Sequence, residues 1–184
     1  MVRSTHSTEI VVTRLPWTGR FAGRSQRGIL RIGSRSLTCA IGKGGMRAIK
    51  QEGDGSTPIG RFWIQHVFFR ADRGRRPRTT FLVKAIRERD GWCDAPADRN
   101  YNRSVQHPYV ASAERMWRSD HLYDVVVVID HNQCPRIRGR GSAVFLHVTK
   151  GDFPPTEGCI ALRHADLVWL LGHAGRRCRL TVRG

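Results

Sequence analysis

The chain has 184 residues, a length that favours a single domain able to bury a core without metal or disulfide links. Hydrophobic residues make up 40% of the chain and charged residues 26%, which excludes a disordered or collagen-like protein. The longest apolar runs, such as Val125–Ile129, have five residues and are too short to span a membrane. The charge is unusual, because 32 Lys and Arg against 15 Asp and Glu give a net +17. This excess favours polyanionic partners, although a genome that favours arginine would produce it too.

Short β-branched and apolar runs, separated by glycines, predict a mostly β fold. Strands are predicted at residues 9–13 (ending before Pro16), 29–32, 37–41, 62–69, 125–129, 142–148 and 178–182. Gly33 lies between the second and third strands and predicts a hairpin turn. The glycine-rich stretches 42–45 and 52–60 predict loops. One amphipathic helix is predicted at residues 166–173, because leucines recur there at helical spacing.

Residues 90–120 show little periodicity and many polar and aromatic residues, with a short helix predicted to begin at Ser112. Long irregular segments in compact domains are often lids or binding loops. The candidate substrate-binding residues in and beside this segment are Tyr101, Asn102, Arg103 and Tyr123. Aromatic packing beneath a long loop is the alternative explanation for them.

His131 and Asn132 follow the buried strand that ends at Ile129, and polar groups at strand ends often form sites. They are further candidates for substrate binding. An ordinary turn is the alternative, because Asp and Asn favour turns.

A histidine and a cysteine form the strongest candidate for chemistry. His147 ends a predicted strand, and Cys159 follows after a loop that contains Pro154 and Pro155. A strand, a returning loop and a second strand would bring the two side chains face to face, where an imidazole can activate a thiol. Gly158 permits backbone geometry closed to other residues and would let nearby N–H groups stabilise an oxyanion. The alternative is a buried core cysteine and a histidine satisfied at a strand end.

His147, a loop and the segment Thr156-Glu157-Gly158-Cys159-Ile160 together resemble the signature of the YkuD-type L,D-transpeptidases, cysteine enzymes that remodel bacterial peptidoglycan. The segment from Asp54 to Phe62 also resembles this family's Thr-Pro-x-Gly turn. The resemblance covers roughly residues 28–182. It implies a β-sandwich-like catalytic domain that occupies residues 1–184, with one C-terminal amphipathic helix and a long irregular insertion.

The resemblance also implies roles for single residues. Cys159 would be the nucleophile and His147 the general base and acid, with no metal and no cofactor. Glu157 stands where the family usually has a second histidine, so that role does not carry over. Glu157 is either a solvated turn residue or an orienting partner of His147, and Thr156 and Gly158 would orient the cysteine turn or its oxyanion donors.

The implied reaction is acyl transfer between peptidoglycan stem peptides, which serve as donor and acceptor. Attack on an L–D peptide bond would give 3–3 or 1–3 cross-links, and water in place of the amine would give an L,D-carboxypeptidase. The substrate implies the periplasm or cell envelope, yet residues 1–9 show no export signal, so a cytoplasmic location stays open. In an oxidising compartment four cysteines would pair and leave Cys159 free; in the cytoplasm all five would be reduced. The other four cysteines are Cys39, Cys93, Cys134 and Cys178.

A basic nucleic-acid-binding module is the alternative from another class. It would use the arginines of residues 73–78 and 136–140. The sequence contains no recognised nucleic-acid-binding motif, and its arginines are spread along the chain rather than gathered in one stripe. Nucleic acid is therefore not the expected partner, and the sequence leaves the oligomeric state open.

Overall fold

The computed structural model describes residues 7–15 and 26–184, which form fourteen strands and one helix. The strands are β1 (Ser7–Arg14), β2 (Arg27–Ile32), β3 (Arg35–Ala40), β4 (Met46–Arg47), β5 (Thr57–Pro58), β6 (Gly60–Phe69), β7 (Val83–Ala85), β8 (Asp90–Cys93), β9 (Ser104–Gln106), β10 (Ala113–Arg115), β11 (Val125–Ile129), β12 (Phe145–Val148), β13 (Ile160–Leu162) and β14 (Ala174–Arg183). The helix, α1, spans His164–His173. The predicted mostly β fold with one helix near the C-terminus is confirmed.

The main sheet closes on itself. Its strands pair in the order β11-β12-β13-β3-β2-β1-β14-β6-β7, and β6 also pairs with β11. Strand β6 is long enough to do both, because it pairs with β14 through residues 60–63 and with β11 through residues 64–69. Most neighbours are antiparallel, but three pairs run parallel: β1 with β14, β6 with β7, and β12 with β13. Eight strands therefore form a closed ring of pairings.

Two apolar clusters cover the two faces of β11 and β12. Side chains alternate between the faces of a strand, so Val127 and Leu146 pack into the main core with the leucines of α1. Val126 and Phe145 pack into a second cluster with Trp92 of the insertion, and this cluster includes Cys159. Burial on both faces explains why Val125–Ile129 is continuously apolar.

The insertion at residues 90–120 is more regular than the sequence indicated. Strands β10, β8 and β9 form a small antiparallel sheet from ten of its residues, and the rest of the segment is irregular, as the sequence predicts. The helix predicted to begin at Ser112 is wrong, because residues 113–115 pair with β8. Packing of Trp92 and Met116 against the main sheet outweighs the weak local pattern.

Other sequence predictions differ only in their ends. The hairpin of β2 and β3 turns at Gly33, which has φ 56°. The strand predicted at residues 142–148 begins only at Phe145, because Ala143 has φ 50° and leaves the extended conformation. Pro16 lies outside the described residues. Among the described residues, α1 is the longest helix and is too short to cross a bilayer.

The loop after β3 packs directly on the loop before β5. A Cβ atom on Gly42 would lie 2.2 Å from the carbonyl oxygen of Gly55. The N–H of Gly42 donates a hydrogen bond to Thr57 Oγ1 at 2.8 Å. Only a residue without a side chain allows this close backbone approach.

We expect Gly42→Ala to lower the free energy of unfolding by about 1–3 kcal/mol, because the added methyl group must push two backbone segments apart. Gly74→Ala is the control, since a Cβ on the exposed Gly74 meets nothing within 4 Å. Urea unfolding of both variants measures the difference. Equal stability of the two variants would contradict the packing described here.

Candidate active site

The parallel pairing of β12 and β13 brings the predicted cysteine and histidine together. His147 pairs with Ala161, and Leu146 pairs with Ile160. Cys159 lies two residues before Ala161, so it points to the same face of the sheet as Ala161 and His147. This is the face covered by the second apolar cluster.

Thr156 holds the turn that carries Cys159. Its N–H donates to the carbonyl of Ile41 at 3.1 Å, and its own carbonyl accepts from the N–H of Lys43 at 2.7 Å. Its hydroxyl donates to the carbonyl of Cys159 at 2.6 Å and accepts from the N–H of Gly158 at 3.2 Å. The turn is therefore fixed both to the end of β3 and within itself.

Gly158 has φ +133°, a conformation that side chains rarely adopt. A Cβ atom at this position would lie 2.8 Å from the carbonyl oxygen of Ser56 and 3.1 Å from Lys50 Nζ. Both the backbone conformation and the lack of space therefore require glycine immediately before the cysteine.

The thiol of Cys159 is buried between two backbone groups. The N–H of Phe145 donates to Cys159 Sγ at 3.3 Å, and the thiol donates to the carbonyl of Ala143 at 3.2 Å. Burial raises the pKa of Cys159 to about 12, the negative charge of Glu114 adds to this, and the Phe145 N–H opposes it. At neutral pH the resting thiol is protonated.

His147 is also buried and has a fixed tautomer. Its Nδ1 lies 2.8 Å from the carbonyl oxygen of Val148, which can only accept, so Nδ1 carries the hydrogen and Nε2 the lone pair. Its ring packs against that of Tyr123 in a T-shaped arrangement, with ring centroids 5.5 Å apart. Burial lowers the pKa of His147 to about 4. The cysteine and histidine are therefore both neutral at rest.

Glu157 does not take the orienting role considered for it. Its side chain is 76% exposed and pairs with Lys43, whose Nζ lies 2.8 Å from Oε1. Of the two sequence interpretations, the structure places Glu157 as a solvated turn residue. The carbonyl of Val148 orients His147 in its place.

A cavity of about 600 Å³ opens over Cys159 and His147. The insertion supplies Glu114 and Arg118 to its wall, and the loop before β5 supplies Lys50. None of these three was a candidate in the sequence, because only the fold brings them to the cysteine. In residues 7–15 and 26–184, no three His, Cys, Asp or Glu side chains are grouped so that they could hold a metal ion.

Glu114 shares a short polar network with Tyr123 beside the site. The Tyr123 hydroxyl donates to Glu114 Oε1 at 2.6 Å, and Arg118 Nη1 lies 3.6 Å from the same oxygen. Burial raises the pKa of Glu114 and, with Glu114 close by, that of Tyr123. Tyr123 is the one predicted substrate-binding residue among those that line the cavity.

The other predicted substrate-binding residues hold loops together and are not among the residues lining the cavity. The Tyr101 hydroxyl donates to Glu52, His131 Nε2 lies 3.0 Å from the carbonyl of Arg140, and Asn132 Nδ2 donates to the carbonyls of Ile137 and Gly141. Arg103 is exposed. These side chains do not line the cavity, because their polar groups are hydrogen-bonded within other loops or face solvent.

Asn102 is the centre of this scaffold and is 1% exposed. Its Oδ1 accepts from Trp92 Nε1 at 2.9 Å and from the N–H of Ala143 at 3.2 Å. Its Nδ2 donates to the carbonyls of His131 and Asn132. Asn102 therefore ties the insertion to the loop whose Ala143 carbonyl holds the Cys159 thiol.

The model of the YkuD L,D-transpeptidase catalytic domain matches residues 23–182. The chain belongs to this family. All five cysteines of the structure are free, including Cys159. A comparison with curated proteins returned no match.

Solved structures of L,D-transpeptidases also resemble the chain. One is an L,D-transpeptidase from Mycobacterium smegmatis, with 11% identity, a TM-score of 0.42, and coverage of 97% of this chain and 59% of that chain. Another is L,D-transpeptidase 3 from Mycobacterium tuberculosis in complex with a faropenem-derived adduct, with 13% identity, a TM-score of 0.44, and coverage of 97% and 61%. The present chain thus spans about three fifths of those chains, and membership of the family rests on the family model.

We expect Asn102→Ala to lower the free energy of unfolding by about 2–4 kcal/mol, because it leaves several buried polar groups without partners. Arg103→Ala is the matched control, since Arg103 is the exposed neighbour in the chain. Chemical denaturation measures both. An Asn102→Ala protein as stable as the control would show that the four hydrogen bonds do not anchor the insertion.

The pH dependence of alkylation distinguishes a neutral thiol from a thiolate paired with an imidazolium. With a thiol pKa of about 12, the rate of Cys159 alkylation by iodoacetamide should rise steadily up to about pH 9. The Cys134→Ser background removes the exposed thiol from the measurement. A rate that levels off at acidic pH would reveal an ion pair and contradict the neutral resting state.

Proposed function

We propose that this protein is a cysteine acyltransferase that joins peptidoglycan stem peptides, with Cys159 as nucleophile and His147 as general base and acid. The observation that carries the proposal is the placement of these two side chains on one face of β12 and β13, beneath a 600 Å³ cavity. Membership of the L,D-transpeptidase family supplies the substrate class. The cell envelope would be the place of action.

The proposed reaction begins with rotation of the S–H bond away from Ala143 toward Nε2 of His147. His147 takes the proton as sulfur attacks the carbonyl of an L-residue that is joined to a D-residue. The tetrahedral intermediate collapses, the C–N bond breaks, and the leaving amine takes the proton from His147. A thioester on Cys159 remains.

The acceptor then decides the product. An amine of a second stem peptide attacks the thioester and gives its proton to His147. The C–S bond then breaks, the sulfur of Cys159 takes the proton back from His147, and the new C–N bond is a 3–3 or a 1–3 cross-link according to the bond cut. Water as acceptor gives a trimmed stem peptide, the carboxypeptidase reaction. Burial disfavours both a free thiolate and an imidazolium, so we expect the proton to reach His147 only as the S–C bond forms.

Incubation with purified sacculi and mass analysis of the muropeptides tests the proposal. We expect the wild type to generate cross-linked dimers that are absent with Cys159→Ala, because the thioester cannot form without the thiol. His147→Gln should lower the rate by about 10²–10⁴-fold, the usual contribution of a general base. Glu157→Gln is the control, since the exposed Glu157 contacts Lys43 and should leave the rate unchanged.

The products also decide between the two reactions. Trimmed stems without dimers would identify the carboxypeptidase. A wild type that changes no muropeptide would contradict the proposed function, and equal products from wild type and Cys159→Ala would contradict the role of the thiol.

A further inference from the structure

A buried lysine lies against the turn that carries Cys159. The side chain of Lys50 is 4% exposed, yet it is among the residues that line the cavity. The position of a Cβ on Gly158 is 3.1 Å from Lys50 Nζ, so the ammonium lies beside the residue that precedes the nucleophile. A buried ammonium is costly to keep charged unless it is paired, so this placement requires a physical reason.

Asp54 pairs with Lys50 and fixes the orientation of this ion pair. Lys50 Nζ donates to Asp54 Oδ1 at 2.9 Å. The carboxylate also accepts from the backbone N–H groups of Gln51 and Ser56, which hold it toward its own loop. These hydrogen bonds lower the pKa of Asp54, so it stays charged. The pair therefore turns its positive end toward the Cys159 turn.

Lys50 has hydrogen-bonding capacity that the protein does not use. An ammonium has three N–H donors, and among the described residues Asp54 is its one acceptor. The N–H of Gly158, the residue before Cys159, already donates to Thr156 Oγ1. A charged donor remains at the cavity wall while a backbone donor is occupied.

We infer that Lys50 is a catalytic residue that donates a hydrogen bond to the oxyanion formed when Cys159 attacks a carbonyl carbon. This inference rests on the proposed acyl transfer. As the S–C bond forms and the thiol proton passes to His147, the carbonyl π electrons move onto oxygen. The Lys50 ammonium stabilises that negative charge without giving up its proton. When the C=O bond re-forms, the leaving group departs and the charge on oxygen is lost.

The other charged groups near the thiol differ from Lys50 in sign, in charge state or in their partners. Arg118, a second cation of the cavity wall, pairs with Asp120 at 2.6 Å. Glu114, from β10, lowers the local potential and raises the pKa of Cys159, whereas Lys50 opposes it. His147 and Tyr123 are neutral at rest, because burial lowers the pKa of the former and raises that of the latter. Lys43, on the other side of the turn, is committed to Glu157 at the surface.

Two small reagents separate oxyanion stabilisation from thiol activation. Iodoacetamide alkylates Cys159 by displacement and forms no oxyanion, whereas p-nitrophenyl acetate acylates it through a tetrahedral oxyanion. Both rates are measured at pH 8 on the Cys159 peptide by mass spectrometry in a Cys134→Ser background. The variants are Lys50→Met with Asp54→Asn, which removes both buried charges at similar volume, and Lys43→Met as the surface control.

We expect the double variant to lower the ratio of acylation to alkylation by about 10²-fold, the usual effect of losing one oxyanion donor. Lys43→Met should leave the ratio unchanged. An unchanged ratio would overturn the inference. If both rates fell equally, Lys50 would act only on the thiol, and if neither fell, Lys50 would have no role in the reaction. If the methionine variant does not fold, Lys50→Gln with Asp54→Asn replaces it, with an expected tenfold fall in the ratio, because a neutral donor is weaker than a charged one.

The assay is independent of peptidoglycan. A fall in the ratio for a protein that leaves sacculi unchanged would support Lys50 and contradict the proposed substrate. Cross-linking of sacculi with an unchanged ratio would support the proposed function and overturn the role of Lys50.

Discussion

The parallel pairing of β12 with β13 is the constraint on which the rest of the site depends. Parallel neighbours run in the same direction, so the chain between them must return along the whole length of the strand. Residues 149–159 make that return as a loop. Thr156 fixes it, because its N–H donates to the carbonyl of Ile41 and its carbonyl accepts from the N–H of Lys43. The position of Cys159 relative to His147 is therefore set by the backbone of the sheet, which a change of side chains elsewhere disturbs little.

The local features of the fold were predictable because they depend on neighbouring residues. The run Val125–Ile129 has the predicted bounds of β11, and the leucines of α1 recur at the period of a helix. The insertion was not predictable in the same way. Its strands have three or four residues, and their stability comes from packing of Trp92 and Met116 on a distant sheet. Pattern within the segment carries little of that information.

The residues of the site also differ in whether the sequence alone can indicate them. His147 and Cys159 stand out because their spacing and the prolines between them imply a returning loop. Lys50 and Glu114 reach the same cavity from segments far away in the sequence, and neither has a local signal that differs from an ordinary surface residue. The sequence indicates Asn102 as a candidate for substrate binding. Its four hydrogen bonds show instead that it holds the insertion and the neighbouring loop together, which only the fold reveals.

Some of the arginines have structural roles in the fold. Arg70 is 3% exposed, lies 3.5 Å from the ring centroid of Trp117, and pairs with Asp72 at 2.7 Å. Arg118 pairs with Asp120 at the cavity wall. Such residues hold the insertion and its surroundings in place. Because each Arg–Asp pair sums to zero, the net charge of +17 belongs to the basic residues in excess of the acidic ones.

Burial determines the charge states of the thiol and the imidazole in the site. It keeps the thiol protonated and the imidazole neutral, so no ion pair has to be maintained away from water. With a backbone carbonyl fixing the tautomer of His147, a carboxylate or a second histidine is not required for its orientation. Glu157 is then free to face solvent and pair with Lys43. The negative charge that develops during the proposed acyl transfer still has to be stabilised. The buried ammonium of Lys50, at the cavity wall and 3.1 Å from the position of a Cβ on Gly158, is placed beside the turn where that charge would form.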